Sequence, residues 1–502
     1  MPDASDYSPM APDLLRQRAR EHGDRVPFTV NGRPGPSYAE WDRRSDRVAA
    51  ALAAAGQGRG DRIALLFGGM DWVDYAVAYA AVLKTGATAV HLPATLEPAD
   101  LTDRLRECGA RHAVVGAGVR PPQTAASHTV AGLTAAGTGP APAVAVGPHD
   151  IADILYTSGT TGRPKAFTNP HGALTYGRGP AALASFDGGA PLLAPMPLGT
   201  PSSASTVGML SLTTTSTVTI CPVDDVELMA ELVARLGVVS LMITPWTAIR
   251  LANARVHERH DLGSVRRLAI ASAALPPSVA RRLAAMMPGL VISTAYAQGE
   301  AAPAVVLNSY DPARPLCVGR PGPGTEVRVV ADDGTAAPAG AVGEIWLRCP
   351  APKRLYLDER RNREVHVDGW TRTRDLGRLA DDGTLHLVDR AADAVHTPAG
   401  VLSTLAVEHA AYEHPGVLEA AAYGHPADDG SPRLCVAVVT AAGHDVDGPG
   451  GVAEVLRERM PAGAPQWHVE RHERLPRGIT GKVLKNVLRD GKDPIASGGV
   501  HV

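Results

Sequence analysis

The sequence has no long hydrophobic run, no excess of one charge and no apolar leader at its start. Its longest apolar run, Tyr75 to Leu83, is far shorter than the ~20 residues that span a bilayer, so we expect no membrane segment. Residues 1–24 contain no apolar core of a signal peptide, which predicts a cytoplasmic protein. A formal net charge of −3 leaves no basic footprint for nucleic acid, so we expect no nucleic-acid partner.

Cysteine and phenylalanine are scarce. The five cysteines lie far apart, form no C-x-x-C pair and are odd in number, so the sequence indicates neither a disulfide framework nor a metal site built on cysteine. This usage is typical of reduced thiols in a cytosol. With only four Phe, the cores must be built mainly from Ala, Val and Leu, and 52 Gly with 42 Pro indicate many short connections.

Helix and strand patterns alternate through the first half of the chain. Such alternation favours βα units around parallel sheets, and so an α/β fold. Ser37 and Glu40 form an S-x-x-E capping box ahead of helically spaced apolar residues, which predicts a helix over about 38–55. A strand pattern over 61–67, a helical pattern over 71–84 and a second strand pattern after Thr85 follow.

Length and shifts in composition predict the domain organisation. The 502 residues exceed the ~250–300 that one hydrophobic core usually supports, so at least two domains are expected. We predict a large N-terminal domain over 1–390, made of packed βα subdomains at roughly 1–145 and 150–320 and a small β-rich subdomain at 321–390. A small, mobile α+β C-terminal domain over 391–490 and a frayed tail over 491–502 follow. The Ala-, Pro- and Gly-rich stretch 131–150 is interpreted as a link between the first two subdomains.

A loop rich in small hydroxyl residues, TSGTTGRPK from Thr157 to Lys165, follows an apolar strand pattern. In such a loop several backbone N–H groups can point into one concavity that binds phosphate oxygens. The hydroxyls add donors, the glycines give freedom in φ, and Lys165 adds a compact positive charge. The Walker pattern is absent. The alternative is an ordinary surface turn, since Ser, Thr and Gly populate turns in any protein, and the loop alone does not decide between the two.

Further blocks occur in a fixed order along the chain. They are SYAEWDRRSDRVAAAL, GDRIALLF and AVLKTGATAVHL near the start, YAQGE ending at Glu300, DGWTRTRDLGRL with Asp375, DRAADAV with Arg390, and LPRGITGK ending at Lys482. Together with the loop at 157–165 they resemble the adenylate-forming superfamily of acyl-CoA synthetases, peptide-synthetase adenylation domains and luciferases. The resemblance covers about residues 25–490. Members of this family join a carboxylate to the α-phosphate of ATP and release pyrophosphate.

The resemblance implies a role for each matched residue. Glu300 would hold Mg²⁺, Asp375 would accept the ribose hydroxyls, Tyr296 would lie along the adenine, Arg390 would contact the nucleotide near the hinge, and Lys482 would reach the α-phosphate from the C-terminal domain. The implied catalytic residues are Lys482, Glu300, Thr157 and Arg390. The implied nucleotide-binding residues are Thr157, Ser158, Gly159, Thr160, Thr161, Gly162, Lys165, Ser272, Ala273, Tyr296, Ala297, Gln298, Asp375, Arg390 and Lys482. Taken singly, each residue favours an ordinary turn, core or solvated surface position; the order and spacing of the blocks together favour the functional roles.

Several positions depart from the family pattern. The charged residues are kept, whereas Arg374 replaces a glycine before Asp375, and Ala297 and Gly299 replace the Gly and Thr of the family's Y-G-x-T-E. Pro197 and Leu198 stand where relatives carry an aromatic residue and a histidine. The candidate acid pocket is Leu198, Gly199, Thr200, Ser272 and Ala273 by position. The hinge residue is Ala392, and residues 397–400 replace the Gly-rich loop that lines the thiol's path in CoA-using members.

The sequence therefore predicts an ATP- and Mg²⁺-dependent ligase that adenylates a small organic or aromatic carboxylic acid. The expected acceptor is the thiol of CoA or of a carrier-protein phosphopantetheine, so an acyl carrier protein is a candidate partner. One alternative is activation of nitrite for transfer to an aryl amine. Another alternative, of a different class, is a nucleotide-binding protein without turnover. The oligomeric state stays open.

Overall fold

The computed structural model describes residues 9–157, 164–177, 189–204, 209–398, 400–426, 432–446, 450–460 and 464–491. The helices are α1 Ala11–Glu21, α2 Tyr38–Ala54, α3 Trp72–Lys84, α4 Pro98–Cys108, α5 Val130–Ala136, α6 His171–Thr175, α7 Pro201–Ser203, α8 Ser211–Thr213, α9 Val226–Leu236, α10 Pro245–Ala254, α11 Pro277–Met286, α12 Glu359–Val365, α13 Thr404–Ala411, α14 Val452–Arg459 and α15 Lys485–Arg489.

The strands of the N-terminal two thirds are β1 Phe28–Val30, β2 Arg33–Pro34, β3 Arg62–Phe67, β4 Thr88–Pro93, β5 His112–Val115, β6 Ala126–Thr129, β7 Ile151–Tyr156, β8 Ala166–Pro170, β9 Leu192–Leu193, β10 Val218–Ile220, β11 Ser240–Ile243, β12 Arg267–Ala271, β13 Val291–Tyr296, β14 Val306–Ser309 and β15 Cys317–Pro321. The remaining strands are β16 Glu326–Val330, β17 Gly343–Arg348, β18 His366–Val367, β19 Trp370–Leu379, β20 Leu385–Arg390, β21 Val395–Thr397, β22 Gly400–Leu402, β23 Val417–Pro426, β24 Pro432–Thr440 and β25 Gln466–Arg471.

The first sheet has six strands in the order β6-β5-β3-β4-β7-β8. All neighbours are parallel except β7 and β8, which form an antiparallel pair on either side of the loop that contains Thr157. The predicted helix over 38–55 is confirmed as α2, and Ser37 Oγ accepts a hydrogen bond from the backbone N–H of Glu40. The helix α3 is buried along nearly its whole length, which matches the apolar run from Tyr75 to Leu83.

The interpretation of residues 131–150 as a link between two subdomains does not agree with this sheet. The strand β7 pairs in parallel with β4, so the segment joins two strands of one sheet. Most of α5 lies within it, and Thr129 caps that helix by accepting a hydrogen bond from Gly132 N–H. A helix of only about two turns, such as α5, is too short to show a clear helical periodicity in an alanine-rich sequence, so the segment resembles a linker.

The second sheet joins a parallel half to an antiparallel half. Its strand order is β16-β17-β19-β20-β15-β14-β13-β12-β11-β9-β10-β1-β2, with β18 paired to β19. Pairing is parallel from β1 through β13 and antiparallel from β13 through β16. The strands β16 to β20, within the β-rich subdomain predicted at 321–390, lie in this antiparallel half, which also contains β14 and β15. Asp368 and Gly369, both with positive φ, form the two-residue turn between β18 and β19.

The chain beyond β20 forms a small α+β unit. A two-stranded ribbon β21-β22 leads into α13, and the sheet β23-β24-β25 packs against α13, α14 and α15. The mixed α/β architecture is the predicted one. The exact domain boundaries stay predictions, and residues 492–502 of the expected tail lie outside the described ranges. Within those ranges, no helix has both the length and the apolar character needed to cross a bilayer.

Candidate active site

Asp375 lies at the centre of a polar cluster on β19. Its side chain is only 7% exposed. The Oδ2 atom accepts hydrogen bonds from the Tyr296 hydroxyl at 2.8 Å and from Gln298 Nε2 at 2.6 Å. Gln298 Nε2 also donates to the carbonyl of Thr373 at 2.8 Å, which fixes the amide. Burial, followed by the charge of Asp375, raises the pKa of Tyr296 well above its usual value, so Tyr296 stays a hydrogen-bond donor.

The residue before Asp375 has an unusual backbone. Arg374 has a φ of 59°, in the left-handed region where glycine is favoured. Its N–H donates to Glu344 Oε1 at 3.0 Å and its guanidinium pairs with Glu364 at 3.0 Å. Its carbonyl accepts a hydrogen bond from Ala391 N–H at 3.0 Å. These contacts offset a strain of about 1–2 kcal/mol and explain how an arginine is accommodated at this position.

Arg390 and Lys482 approach the same carboxylate from the end of β20 and from the C-terminal loop. Arg390 is the cross-strand partner of Asp375, and its Nε lies 3.1 Å from Asp375 Oδ1. Desolvation and the positive charge of Arg390 together lower the pKa of Lys482 to about 8, while the carboxylates of Asp375 and Asp393 oppose the shift. Lys482 therefore lies partly buried at the junction between the two parts of the chain.

A cavity of about 230 Å³ lies at this junction. It brings together eight residues that the sequence assigns to the nucleotide or the acid: Ser272, Ala273, Tyr296, Ala297, Gln298, Asp375, Arg390 and Lys482. Apolar side chains line much of the remainder, among them Trp246, Ile249, Leu275 and Leu316. Ser272, in the wall of this cavity, has a φ of 86°. Like Arg374, it is a residue other than glycine with a left-handed backbone conformation.

The phosphate-loop prediction is only partly covered by the structure. Ser158, Gly159, Thr160, Thr161 and Gly162 lie outside the described residues. The base of the loop is closed by two hydrogen bonds, from Thr157 N–H to the Lys165 carbonyl at 3.0 Å and from Lys165 N–H to Thr157 Oγ1 at 3.3 Å.

Lys165 and Glu300 lie close to one another but do not line the 230 Å³ cavity. Burial lowers the pKa of Lys165, the positive charges of Arg361 and Arg374 lower it further, and Glu300 opposes the shift. Glu300 Oε1 accepts a hydrogen bond from the hydroxyl of Tyr356. A second cavity of about 560 Å³ is lined by Lys165, Tyr356 and Arg361. Arg374 acts on the charge of Lys165, and Asp375 lines the 230 Å³ cavity. Because these two residues are consecutive, they connect the Lys165 and Glu300 group to that cavity.

Three acid-pocket candidates lie elsewhere. Leu198 is buried in the N-terminal hydrophobic core, and a Cβ added to Gly199 would overlap the backbone of Pro93. Thr200 caps α7 by accepting a hydrogen bond from Ser203 N–H, with Ser203 Oγ accepting in return from Thr200 N–H. The structure therefore does not bring these three residues to the cavity. Matching by position could not foresee this, because the sequence beyond Pro197 diverges from the family pattern.

Two contributors to the junction were missed by the sequence reasoning. Trp246, at the start of α10, stacks between the guanidinium groups of Arg250 and Arg477, at 5.0 and 5.7 Å from its ring centre. The indole packs directly on Gly481, where an added Cβ would overlap it. Arg477 lies in the LPRGITGK block, so its place near Lys482 was foreseeable. Nothing in the local pattern around Trp246 points to this contact.

The residues fit a nucleotide on chemical grounds. Oδ1 of Asp375 is buried and, among the described residues, accepts no hydrogen bond, although Arg390 lies within ion-pair distance. A carboxylate oxygen in this state suits a pair of sugar hydroxyls as donors. The carboxylate of Glu300 is the ligand type that Mg²⁺ prefers, and Lys165 places a positive charge beside it.

Comparison with known proteins identifies the family. The family "AMP-binding enzyme" matches residues 15–357, and "AMP-binding enzyme C-terminal domain" matches residues 406–482. A feruloyl-CoA synthase of Amycolatopsis sp is 31% identical over 498 residues, which cover 95% of this chain and 97% of that protein. A salicyl-AMP ligase / salicyl-S-ArCP synthetase of Mycobacterium tuberculosis is 30% identical over 468 residues, covering 85% and 81%.

Solved structures agree with this assignment. ATP-bound MatB from Rhodopseudomonas palustris superposes with a TM-score of 0.82 at 26% identity, covering 96% of this chain and 99% of that one. The amide bond synthetase McbA from Marinactinospora thermotolerans gives 0.80 at 25% identity, covering 96% and 100%. None of the proteins named here is described as acting on nitrite, so they give that alternative no support. The chain belongs to the AMP-binding enzyme family and is an adenylate-forming ligase.

Proposed function

We propose that the protein uses ATP and Mg²⁺ to adenylate a small organic or aromatic carboxylic acid and then passes the acyl group to a thiol. One observation carries the proposal. Asp375 and Lys482 are more than a hundred positions apart in the sequence. Together with Arg390 they nevertheless line a single cavity at the domain junction. A partly buried lysine on the far side of the expected hinge has little use in a protein that only holds a nucleotide.

In the first step, a carboxylate oxygen of the acid attacks the α-phosphorus and the bond to the β-phosphate oxygen breaks, releasing pyrophosphate. Both reactants are anionic, so the site must offset their repulsion and align them. Asp375 would fix the ribose, Arg390 would sit beside it, and Lys482 would place its ammonium against the charge that develops at the α-phosphate. Mg²⁺ held by Glu300 would neutralise phosphate oxygens. Lys165 would hold the outer phosphates.

In the second step, a thiol sulfur attacks the acyl carbon, the bond from that carbon to the phosphate oxygen breaks, and AMP leaves. The named relatives favour this acceptor, because one is a CoA synthase and another forms a thioester with a carrier protein. They also favour an aromatic acid, and the apolar wall formed by Ile249, Leu275 and Leu316 would suit an aromatic ring. The 25% identical amide bond synthetase makes an amine the alternative acceptor.

The test is a pyrophosphate-release screen on the purified full chain. A panel of aromatic and short aliphatic acids is compared with nitrite, each with ATP and Mg²⁺, and with CoA, an amine or no acceptor. The same screen is run on Lys482→Ala and on Lys353→Ala, an exposed lysine away from both cavities. We expect acid-dependent release that Lys482→Ala strongly reduces and Lys353→Ala keeps. Release with nitrite but with no acid would replace this function by the nitrite alternative. No release with any anion would leave nucleotide binding alone.

A further inference from the structure

A group of metal-ligating side chains lies on one face of the C-terminal sheet, away from the cavity described above. Tyr423 on β23 is the cross-strand partner of Cys435 on β24, and Cys435 is the partner of His468 on β25. Direct partners share a face of a sheet, and Glu470, two residues beyond His468, shares it as well. His472 follows immediately after the end of β25.

The donor atoms of these residues are close together. One ligand atom each from Cys435, His468 and Glu470 lies within 4.8 Å of the other two. Cys435 Sγ is 3.7 Å from His468 Nδ1, and His468 Nε2 is 2.6 Å from Glu470 Oε1. His472 Nε2 is 3.5 Å from Glu470 Oε2. The histidines and the glutamate are each about one third exposed, so an ion can reach the group from solvent.

A thiolate, two imidazoles and a carboxylate form a mixed sulfur, nitrogen and oxygen donor set. Zinc takes such sets in tetrahedral sites, whereas Mg²⁺ and Ca²⁺ require oxygen ligands. The Tyr423 hydroxyl donates to Glu470 Oε2 at 2.9 Å, the kind of outer contact that orients a ligating carboxylate. Three clustered ligand residues, one of them oriented by an outer hydrogen bond, are more than a chance pairing of a cysteine with a histidine.

We propose that the C-terminal domain binds one divalent zinc-type ion through Cys435, His468 and Glu470, with His472 as the fourth ligand. Binding replaces the proton on the thiol, so one proton is released as the sulfur–metal bond forms. Metal binding would tie His472 to the sheet, and His472 begins the segment that leads to Lys482. The ion would hold together this face, where Leu475 and Val483 pack against Tyr423 and Cys435.

A thiol next to an imidazole that contacts a carboxylate is also found in enzymes that use cysteine as a nucleophile. The burial of Cys435, which is 4% exposed, argues against that role, because a substrate cannot reach the sulfur. A metal ion needs only the exposed edge formed by His468 and Glu470.

The test uses the full chain after treatment with a chelator. Zn²⁺ alone is titrated by calorimetry in two buffers of different ionisation enthalpy, and bound metal is counted after gel filtration. We expect one ion per chain, release of a proton and a higher melting temperature. Co²⁺ should give the near-ultraviolet charge-transfer band of a cobalt–thiolate bond. No stoichiometric binding by the wild-type chain would overturn the proposal.

Variants separate this site from adventitious binding. Cys435→Ser, His468→Gln and Glu470→Gln should each weaken Zn²⁺ binding by at least about tenfold, and Tyr423→Phe by roughly tenfold to a hundredfold. Cys349→Ser and the exposed His396→Gln serve as matched controls and should bind as the wild type does. Circular dichroism checks the fold of each variant. Undiminished binding by folded Cys435→Ser would contradict the site. If Cys435→Ser does not fold, Tyr423→Phe carries the same test.

Discussion

The pH dependence of adenylation should report on Lys482 directly. Lys482 is partly buried, and desolvation together with the charge of Arg390 lowers its pKa to about 8. The charged form stabilises developing negative charge at the α-phosphate, so activity needs the protonated lysine. A change of one pH unit changes the ratio of charged to neutral lysine tenfold. With a pKa of about 8, about nine tenths of Lys482 is charged at pH 7 and about one tenth at pH 9. A lysine in water would stay charged throughout this range.

We therefore expect kcat/KM for pyrophosphate release to be flat near pH 7 and to fall about tenfold per unit of pH above 8. Lys482→Arg should lack this alkaline decline, since a guanidinium keeps its charge, although its different shape should lower the plateau. Lys482→Ala should lose about 10²- to 10³-fold in kcat, the usual effect of removing one charge-stabilising donor.

The assay is coupled pyrophosphate detection at saturating acid and varied ATP, with each coupling enzyme checked across the pH range. Lys353→Ala is the matched control and should reproduce the wild-type profile. Two results would refute the reasoning. One is a wild-type profile that stays flat to pH 10 while Lys482→Ala is inactive, which would mean that the lysine is not desolvated. The other is a decline that persists unchanged in Lys482→Arg.

Three further changes test other contacts. Asp375→Asn should raise KM for ATP by roughly tenfold to a hundredfold with a smaller change in kcat, because bonds to a charged group are worth about 1.5–3 kcal/mol; unchanged ATP binding would remove Asp375 from the site. Gly481→Ala should slow adenylation because its Cβ meets the indole of Trp246, and a double-mutant cycle with Trp246→Ala should show coupling of about 0.5–3 kcal/mol rather than additivity. Ser37→Ala should lower the free energy of unfolding in urea by about 1 kcal/mol through loss of the α2 cap, and no change would show that the cap contributes nothing.

The sequence predicted well those features that leave a local pattern. The capped helix α2 follows from its S-x-x-E capping box and the helical spacing of its apolar residues. Asp375, Arg390 and Lys482 were found because each stands inside a recognisable block, and the structure brings all three to one cavity.

Contacts between distant segments could not be predicted in the same way. Tyr356 reaches Glu300, and Trp246 reaches Gly481, across separations that carry no periodic signal. The proposed metal ligands were missed for a similar reason, since Cys435 and His468 become neighbours only through the register of β24 and β25. Leu198, matched by position to a substrate pocket, packs in the N-terminal core and does not line the 230 Å³ cavity.

The hydrogen bond from Ala391 to the Arg374 carbonyl has a mechanical consequence. It fastens the first residue after β20 to the residue that precedes Asp375, and Asp375 itself faces Arg390 across the same strand pair. The pivot expected for the C-terminal domain and the site proposed for the sugar therefore share one piece of backbone. If the domain turns about that pivot, the turn would shift the Asp375 carboxylate, so departure of the nucleotide and reorientation of the domain would be coupled in one movement.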